Sequence, residues 1–257
     1  MSLKEQAEFG GDFQVLLVEA QGHSMAEVEK FALERGWLGN AAMWTTQRPF
    51  ATHGRGIPHA ALLDVDGRVI LEGNPLAMAK DFKTAIAAQI ALRKKGPPSL
   101  AKELRPVWRD RVQGKFADAI AEATRLAEGG GEHAEAASAE AAAARAAGDA
   151  AVARIHRLME QGRYAHASDL LRNLEKGAKG DEALEQSAAE LRQRLDSEEL
   201  ETELDAEKSI LKLERLLLEK GAEAVPAKAV KKFLDKHADT KAAARAQHLL
   251  TLLGTRG

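Results

Sequence analysis

The cluster Gly96-Pro97-Pro98 constrains the fold of this chain more than any other feature. Proline fixes its own φ, lacks a backbone N–H and disfavours helix in the residue before it, so regular structure is interrupted here. Before the cluster, strand and helix signals alternate, whereas every periodic segment after it is typical of helix. The sequence therefore predicts an α/β domain over residues 1–95 and an all-α domain over residues 96–257.

Short apolar runs and turn residues predict the elements of the first domain. Residues 13–18 (FQVLLV) are rich in strand formers, and Ser24 with Glu27 forms a capping box at the start of a helix that ends at Gly36. Two apolar runs, 60–63 and 68–71, flank an Asp-Gly turn. This arrangement predicts a β-hairpin.

The predicted elements of the first domain follow an order that resembles a known family. This order is strand, helix, loop, Ile-Pro, hairpin and helix. Gly56-Ile57-Pro58 precedes an apolar strand, Asp64-Val65-Asp66-Gly67 forms the turn, a second strand ends at Gly73, and a helix opens at Pro75. These residues resemble the later part of a thioredoxin-like domain of the extracytoplasmic thiol-disulfide oxidoreductase type. The resemblance covers residues 3–92.

The resemblance implies a fold and a binding site. It implies a cis peptide bond between Ile57 and Pro58, and it implies that Gly56, Ile57 and Pro58 pair with an extended peptide. The family also has a central strand and a Cys-x-x-Cys helix before this region. The chain contains no cysteine, and residues 3–9 (LKEQAEF) look like the last two turns of that helix. The thioredoxin-like domain is therefore expected to be incomplete and unable to exchange disulfides.

Two interpretations of this departure stay open. In one, the redox cysteine pair lies in a segment upstream of Met1 and the protein is a thiol-disulfide oxidoreductase. In the other, the domain has lost its redox half and is not an enzyme. Without a central strand, residues 13–18 and 60–63 either pair directly or leave an exposed sheet edge, which would favour a homo-oligomer.

The second half carries an internal repeat. Residues 113–119 (QGKFADA) recur as residues 161–167 (QGRYAHA), 48 residues later, which leaves room for about three helices per unit. The phrase resembles the turn between helices in tetratricopeptide-type repeats, with a longer period. A third unit is expected at residues 198–253 without the phrase. Such arrays bind protein or peptide partners, so the helical repeats are the predicted partner surface.

Glycine, proline and capping residues predict the helix boundaries of this half. The predicted ends and caps are Gly129-Gly130-Gly131, Gly148-Asp149, Gly177 to Gly180 followed by Asp181, Gly221 followed by Pro226, and Asp239.

No pattern predicts a catalytic residue, a metal or a cofactor. His23, His53 and His59 lack the spacing of a ligand set and are expected to be solvated or hydrogen-bonded. The net charge of −2 argues against nucleic acid as a partner. The basic stretch 93–115 is interpreted as a solvated linker and helix face, with a patch that binds nucleic acid or lipid headgroups as the alternative.

The N-terminus has no signal-peptide pattern, and no apolar run approaches the ~20 residues of a membrane span. The chain as written is therefore expected in the cytoplasm, and outside it if the natural chain begins upstream. Together these expectations predict a non-catalytic interaction or scaffold protein, with the oxidoreductase as the alternative.

Overall fold

A computed structural model describes residues 2–34, 43–48, 50–51, 53, 56–64 and 67–254. Of these residues, 70% lie in helices and 6% in strands, so the fold is mostly helical. The chain divides into two compact units, Met1–Pro97 and Pro98–Gly257.

In the described residues of the first unit, three α-helices accompany four short strands. In chain order they are α1 Ser2–Phe9, β1 Leu16–Val18, α2 Met25–Glu34, β2 Met43–Thr45, β3 Ala60–Leu63, β4 Val69–Gly73 and α3 Ala79–Lys95.

The strands form two separate pairs. β1 lies parallel to β2, with Leu16 opposite Met43, whereas β3 lies antiparallel to β4, with Leu62 opposite Leu71. The hairpin is confirmed, and Gly67 takes the positive φ of 81° that its turn requires. Among the described residues β1 and β3 do not pair, so the first of the two expected alternatives, direct pairing, is not observed. β2, in a stretch expected to be irregular, takes the place beside β1.

The core of this unit is small. Leu62, Phe82 and Ile86 are buried, and partly buried side chains from α1, β3, β4 and α3 pack against them. The buried Gln6 of α1 accepts a hydrogen bond of 2.7 Å from the backbone N–H of Val15, which ties the helix to the chain entering β1. The packing of α3 against the hairpin and the buried hydrogen bond between Val15 and Gln6 both help to hold this unit together.

The observed boundaries of α2 and α3 can be compared with those that the capping and breaking residues predicted. The capping box is confirmed, because the Glu27 carboxylate accepts the backbone N–H of Ser24 at 2.7 Å. The expected end of α2 at Gly36 lies outside the described residues. α3 begins at Ala79 rather than at Pro75, because the Asn74 side chain accepts the N–H of Leu76 and holds a turn there.

The described part of the second unit contains eight α-helices. They are α4 Arg105–Val112, α5 Phe116–Glu128, α6 Ala134–Glu160, α7 Tyr164–Gly177, α8 Glu182–Leu195, α9 Glu201–Lys220, α10 Ala227–His237 and α11 Lys241–Gly254. Successive helices from α4 to α8 contact each other, and α11 packs on both α9 and α10.

Two hydrophobic clusters hold α4 to α8 together. One is built around Leu104, Val107 and Ile120, and the other around Ile155, Tyr164 and Leu171. α6 contributes to both clusters, and its Val152 contacts each of them. This long helix therefore runs through the middle of the packed unit.

The predicted helix break at Gly148-Asp149 is wrong, because α6 continues from Ala134 to Glu160. Gly148 is buried, and a Cβ there would lie 2.9 Å from Cδ1 of Leu184. The glycine lets α8 approach α6 closely, at a cost in helix propensity of about 1 kcal/mol. Consequently only two helices, α5 and α6, separate the two repeated phrases, and not three.

The other predicted glycine breaks and the Asp181 cap are confirmed. α5 ends before Gly129, α7 ends at Gly177, and α9 ends before Gly221. The Asp181 side chain accepts the N–H of Leu184 at 3.1 Å and caps α8. These boundaries depend on neighbouring residues alone, which explains why the sequence shows them.

Candidate functional site

The predicted peptide-binding residues lie on an exposed loop just before β3. Gly56, Ile57 and Pro58 are all exposed, and Ile57 has 65% of its surface accessible. The Ile57–Pro58 peptide bond is cis, as expected from the sequence. Exposure of this much apolar surface to water is unfavourable, so a ligand that buried the Ile57 side chain would gain free energy of binding.

One carboxylate holds the described ends of this loop. Glu72 of β4 accepts the backbone N–H of His53, and its Oε2 lies 3.1 Å from His53 Nδ1. Its Oε1 lies 2.8 Å from Nε2 of His59, on the other side of Pro58. A carboxylate only accepts, so both ring nitrogens carry protons in this arrangement.

Hydrogen bonds from His53 and His59 lower the pKa of Glu72 to about 2. At neutral pH Glu72 is therefore a fixed anion that positions the loop. It is not a proton donor, because a general acid needs a pKa near the operating pH.

This contact is not apparent from the sequence. His53 and His59 were expected to be solvated or hydrogen-bonded, and both are hydrogen-bonded, but no pattern identified Glu72 as their partner. The usable signal was weak: two histidines flank Gly-Ile-Pro, and a glutamate sits opposite Ala61 in the hairpin register. Within the described ranges, no three His, Asp or Glu side chains are arranged to hold a metal ion.

Exposed apolar side chains are concentrated in the first unit. Among the described residues, ten large hydrophobic side chains are exposed, and all but Leu218 precede residue 98. Six of the nine lie on β1, β3 and β4 or on the cis-Pro loop: Leu16, Val18, Ile57, Leu63, Val69 and Ile70. In the part of the chain that the structure describes, each strand has a single partner strand, so unpaired backbone borders this apolar surface.

The repeated phrase forms two turns with matching backbone geometry. Gly114 and Gly162 adopt φ of 78° and 67°. The residue after each glycine donates its N–H to a carbonyl five residues earlier, from Lys115 to Asp110 and from Arg163 to Leu158, both at 2.8 Å. The aromatic residue of each phrase, Phe116 or Tyr164, then begins a helix.

An open, charged depression of about 560 Å³ lies where α8 ends. Its lining residues are Glu190, Gln193, Arg194, Ser197, Glu198 and Glu199. The mixed charge and the open shape suit a polar contact surface and not an enclosed small-molecule site.

Several cations of the basic stretch 93–115 pair with acidic residues of the unit to which each cation belongs. Arg93 and Lys94 pair with Asp12 at 3.2 and 2.9 Å. Arg111 pairs with Glu140 and stacks over Trp108, 4.5 Å from the ring centroid. These three cations pair with carboxylates of the protein itself, so their charges are partly neutralised and attract the phosphates of a nucleic acid less strongly.

Comparisons of the chain with family models, with curated proteins and with solved structures found no match. The likenesses to thioredoxin-like domains and to tetratricopeptide-type repeats therefore depend on the residues quoted above. Among the described helices, none combines the length and the apolar character that crossing a bilayer demands.

Proposed function

We propose that the protein is a non-catalytic interaction protein. Its thioredoxin-like first unit docks an extended apolar segment of a protein partner beside Gly56, Ile57 and Pro58. Its helical repeats act as the scaffold and offer a second, charged contact surface.

The concentration of exposed apolar side chains in the first unit carries this proposal. Contact surfaces gain most from large apolar groups that leave water on binding. Ile57, Val69 and Ile70 are 65%, 44% and 43% exposed. A partner strand that added to a free edge there would gain main-chain hydrogen bonds and would cover these side chains.

The helical unit supports the scaffold role. The apolar residues of α4 to α8 are packed in two clusters, and Leu218 is the single large exposed hydrophobic of this unit among the described residues. What it offers a partner is the charged depression at the end of α8. Charged rims contribute association rate and specificity more than affinity, so this surface would select partners and orient them.

Peptide selection followed by affinity measurement tests the proposal. A display library of random peptides is panned on the full chain, and the Kd of the best binder is measured for the native protein, Ile57→Lys and Leu218→Lys. We expect apolar extended peptides, about tenfold or weaker binding for Ile57→Lys, and no change for Leu218→Lys.

Two results would contradict the proposal in different ways. If no peptide is enriched, the first unit has no peptide-docking role. If peptides bind equally to native protein and Ile57→Lys but are lost on Glu198→Lys with Glu199→Lys, the partner surface lies on the helical unit alone.

A further inference from the structure

Glu207 of α9 is buried at the start of another helix. It is 2% exposed, and its Oε2 accepts the backbone N–H of Ala165 at 2.8 Å. The residue before α7, Arg163, supplies no side-chain cap. The carboxylate from α9 therefore caps α7 in its place, where the partial positive charge of a helix N-terminus favours an anion.

The rest of this carboxylate is poorly satisfied. Glu207 Oε1 has no hydrogen-bond partner, and neither has the buried hydroxyl of Tyr164. The nearest cation, Arg245, lies 3.7 Å from Oε1, which is an ion-pair distance but too long for a hydrogen bond. An anion held this way retains part of its desolvation cost.

α11 completes the contact from the other side. Lys241 Nζ donates to the carbonyl of Met159 at 2.9 Å, and Arg245 donates to the carbonyl of Gly162 at 3.4 Å, so both cations sit at the C-terminal end of α6. The N–H of Lys241 is accepted by Glu203, one turn before Glu207 on α9. The approach is close, because a Cβ on Gly162 would lie 2.7 Å from Cβ of Lys241.

Ionisable groups lie near Glu207 or near the adjoining Tyr164 on the elements packed there. They are Tyr164 and His166 of α7, Arg194 of α8, Glu203 and Glu214 of α9 itself, and Lys241 and Arg245 of α11. His237 of the adjoining α10 stacks against Phe233, with ring centroids 4.9 Å apart. Arg245 also pairs with Glu214, so this cation keeps a partner if Glu207 becomes neutral.

We propose that Glu207 makes the docking of α9–α11 on the α6–α7 turn proton-linked, so that this three-helix segment docks tightly when Glu207 is protonated and loosens when it is ionised.

The direction of this pH dependence follows from the burial of the Glu207 carboxyl. Desolvation raises the pKa of Glu207 above 4.5. The backbone N–H groups of Ala165 and Tyr164 and the charges of Arg245 and His166 offset this only in part. In the undocked segment the carboxyl is solvated and has its ordinary pKa. A group with a raised pKa in the docked state favours docking at low pH, and that contribution is lost as the pH rises through the docked-state pKa.

Undocking would also change the protein surface. Leu200 and Leu204 pack against the cluster that contains Tyr164 and Leu171. Release of α9 would uncover that apolar cluster. Loosening therefore predicts more binding of a hydrophobic dye.

Distance measurement between two spin labels tests the proposal. The chain has no cysteine, so Asn173→Cys on α7 and Gln247→Cys on α11, both exposed, give unique labels. We expect one distance near pH 5 and a second, longer population near pH 8, with the docking constant changing about tenfold for each unit by which the pKa is raised. Dye binding should rise in parallel.

Variants separate this linkage from general charge effects. Glu207→Gln keeps an oxygen for the Ala165 N–H but cannot ionise, so its distances and dye binding should be constant between about pH 5 and 8. The matched control Glu219→Gln, at an exposed position on the same helix, should keep the pH response of the native chain. A native distance distribution that is the same across this range overturns the proposal, as does a Glu207→Gln variant that responds like the native chain.

Discussion

Gly177, the last residue of α7, lies directly against the carbonyl of Gly114 in the turn between α4 and α5, and a Cβ on Gly177 would collide with that oxygen. Gly114 belongs to the first repeated phrase. In the second phrase, Lys241 of α11 lies close to Gly162, so that a Cβ on Gly162 would lie 2.7 Å from Cβ of Lys241. At each repeated turn a later helix therefore packs onto the backbone itself.

Gly177→Ala should destabilise the protein, because the group it meets is backbone and cannot swing aside. We expect the free energy of unfolding to fall by about 1–3 kcal/mol, as for other overpacked sites. Urea denaturation followed by helical circular dichroism measures this change.

Gly129→Ala is the matched control for that variant. At Gly129 the φ is −65° and the nearest atoms to an added Cβ lie at 3.5 Å. It should be neutral or stabilising by up to about 1 kcal/mol. A Gly177→Ala protein as stable as Gly129→Ala would contradict the close contact.

Asp181→Ala should cost about 1 kcal/mol, because it removes the cap that accepts the N–H of Leu184. Asp239→Ala should cost less than about 0.5 kcal/mol. Asp239 was predicted to cap α11, but the first N–H of that helix goes to Glu203 instead. Thermal and urea unfolding compare the two variants, and equal losses would speak against this assignment of caps.

Glu72 should titrate far below an ordinary glutamate. Its pKa of about 2 lies below the usual 4.5, so its stabilisation of the loop is present above about pH 4.5 and is lost as the pH falls to about 2. Carboxyl-carbon NMR shifts measured against pH report this directly.

Removal of the side-chain donor in His53→Ala should raise the pKa of Glu72. His23→Ala should leave it unchanged, since His23 lies near Glu27 and not near Glu72. A native Glu72 with a midpoint near 4.5 would rule out the two-histidine contact.

The apolar strand surface of the first unit should promote self-association. Sedimentation velocity over a range of concentrations should show a rising weight-average sedimentation coefficient for the native chain. Ile70→Lys should reduce this rise, because a charge on a strand blocks edge-to-edge pairing. Leu218→Lys removes an equally exposed side chain from the helical unit and should behave like the native chain. A monomeric native protein at all concentrations would contradict the expectation.

Local features of the fold were predictable from the sequence, whereas long-range contacts were not. The Ser24–Glu27 box, the hairpin around Gly67 and the Asp181 cap each depend on residues within a few positions of one another. Gly148 was misinterpreted because a glycine that breaks a helix and a glycine that admits a neighbour look alike in sequence. Only the position of Leu184, 36 residues away, distinguishes them.

The candidate sites show the same limit. The exposed loop at Gly56, Ile57 and Pro58 was identified from its motif, but Glu72, which holds it, lies 19 residues from His53. The contact between Glu207 and Ala165 spans 42 residues. No periodicity connects such pairs, because each depends on how whole helices or strands pack.

The uninterrupted course of α6 has a mechanical consequence. Its 27 residues correspond to a rod of about 40 Å at 1.5 Å per residue. Ala137 and Ala144 at one end belong to one hydrophobic cluster, while Ile155 and Met159 at the other belong to the second. Arrays whose repeats touch only their neighbours can melt one module at a time. Here α6 is common to both clusters, so a distortion at one end of this helix is transmitted to the other end. We therefore expect α4 to α8 to unfold cooperatively, as one unit, under heat or force.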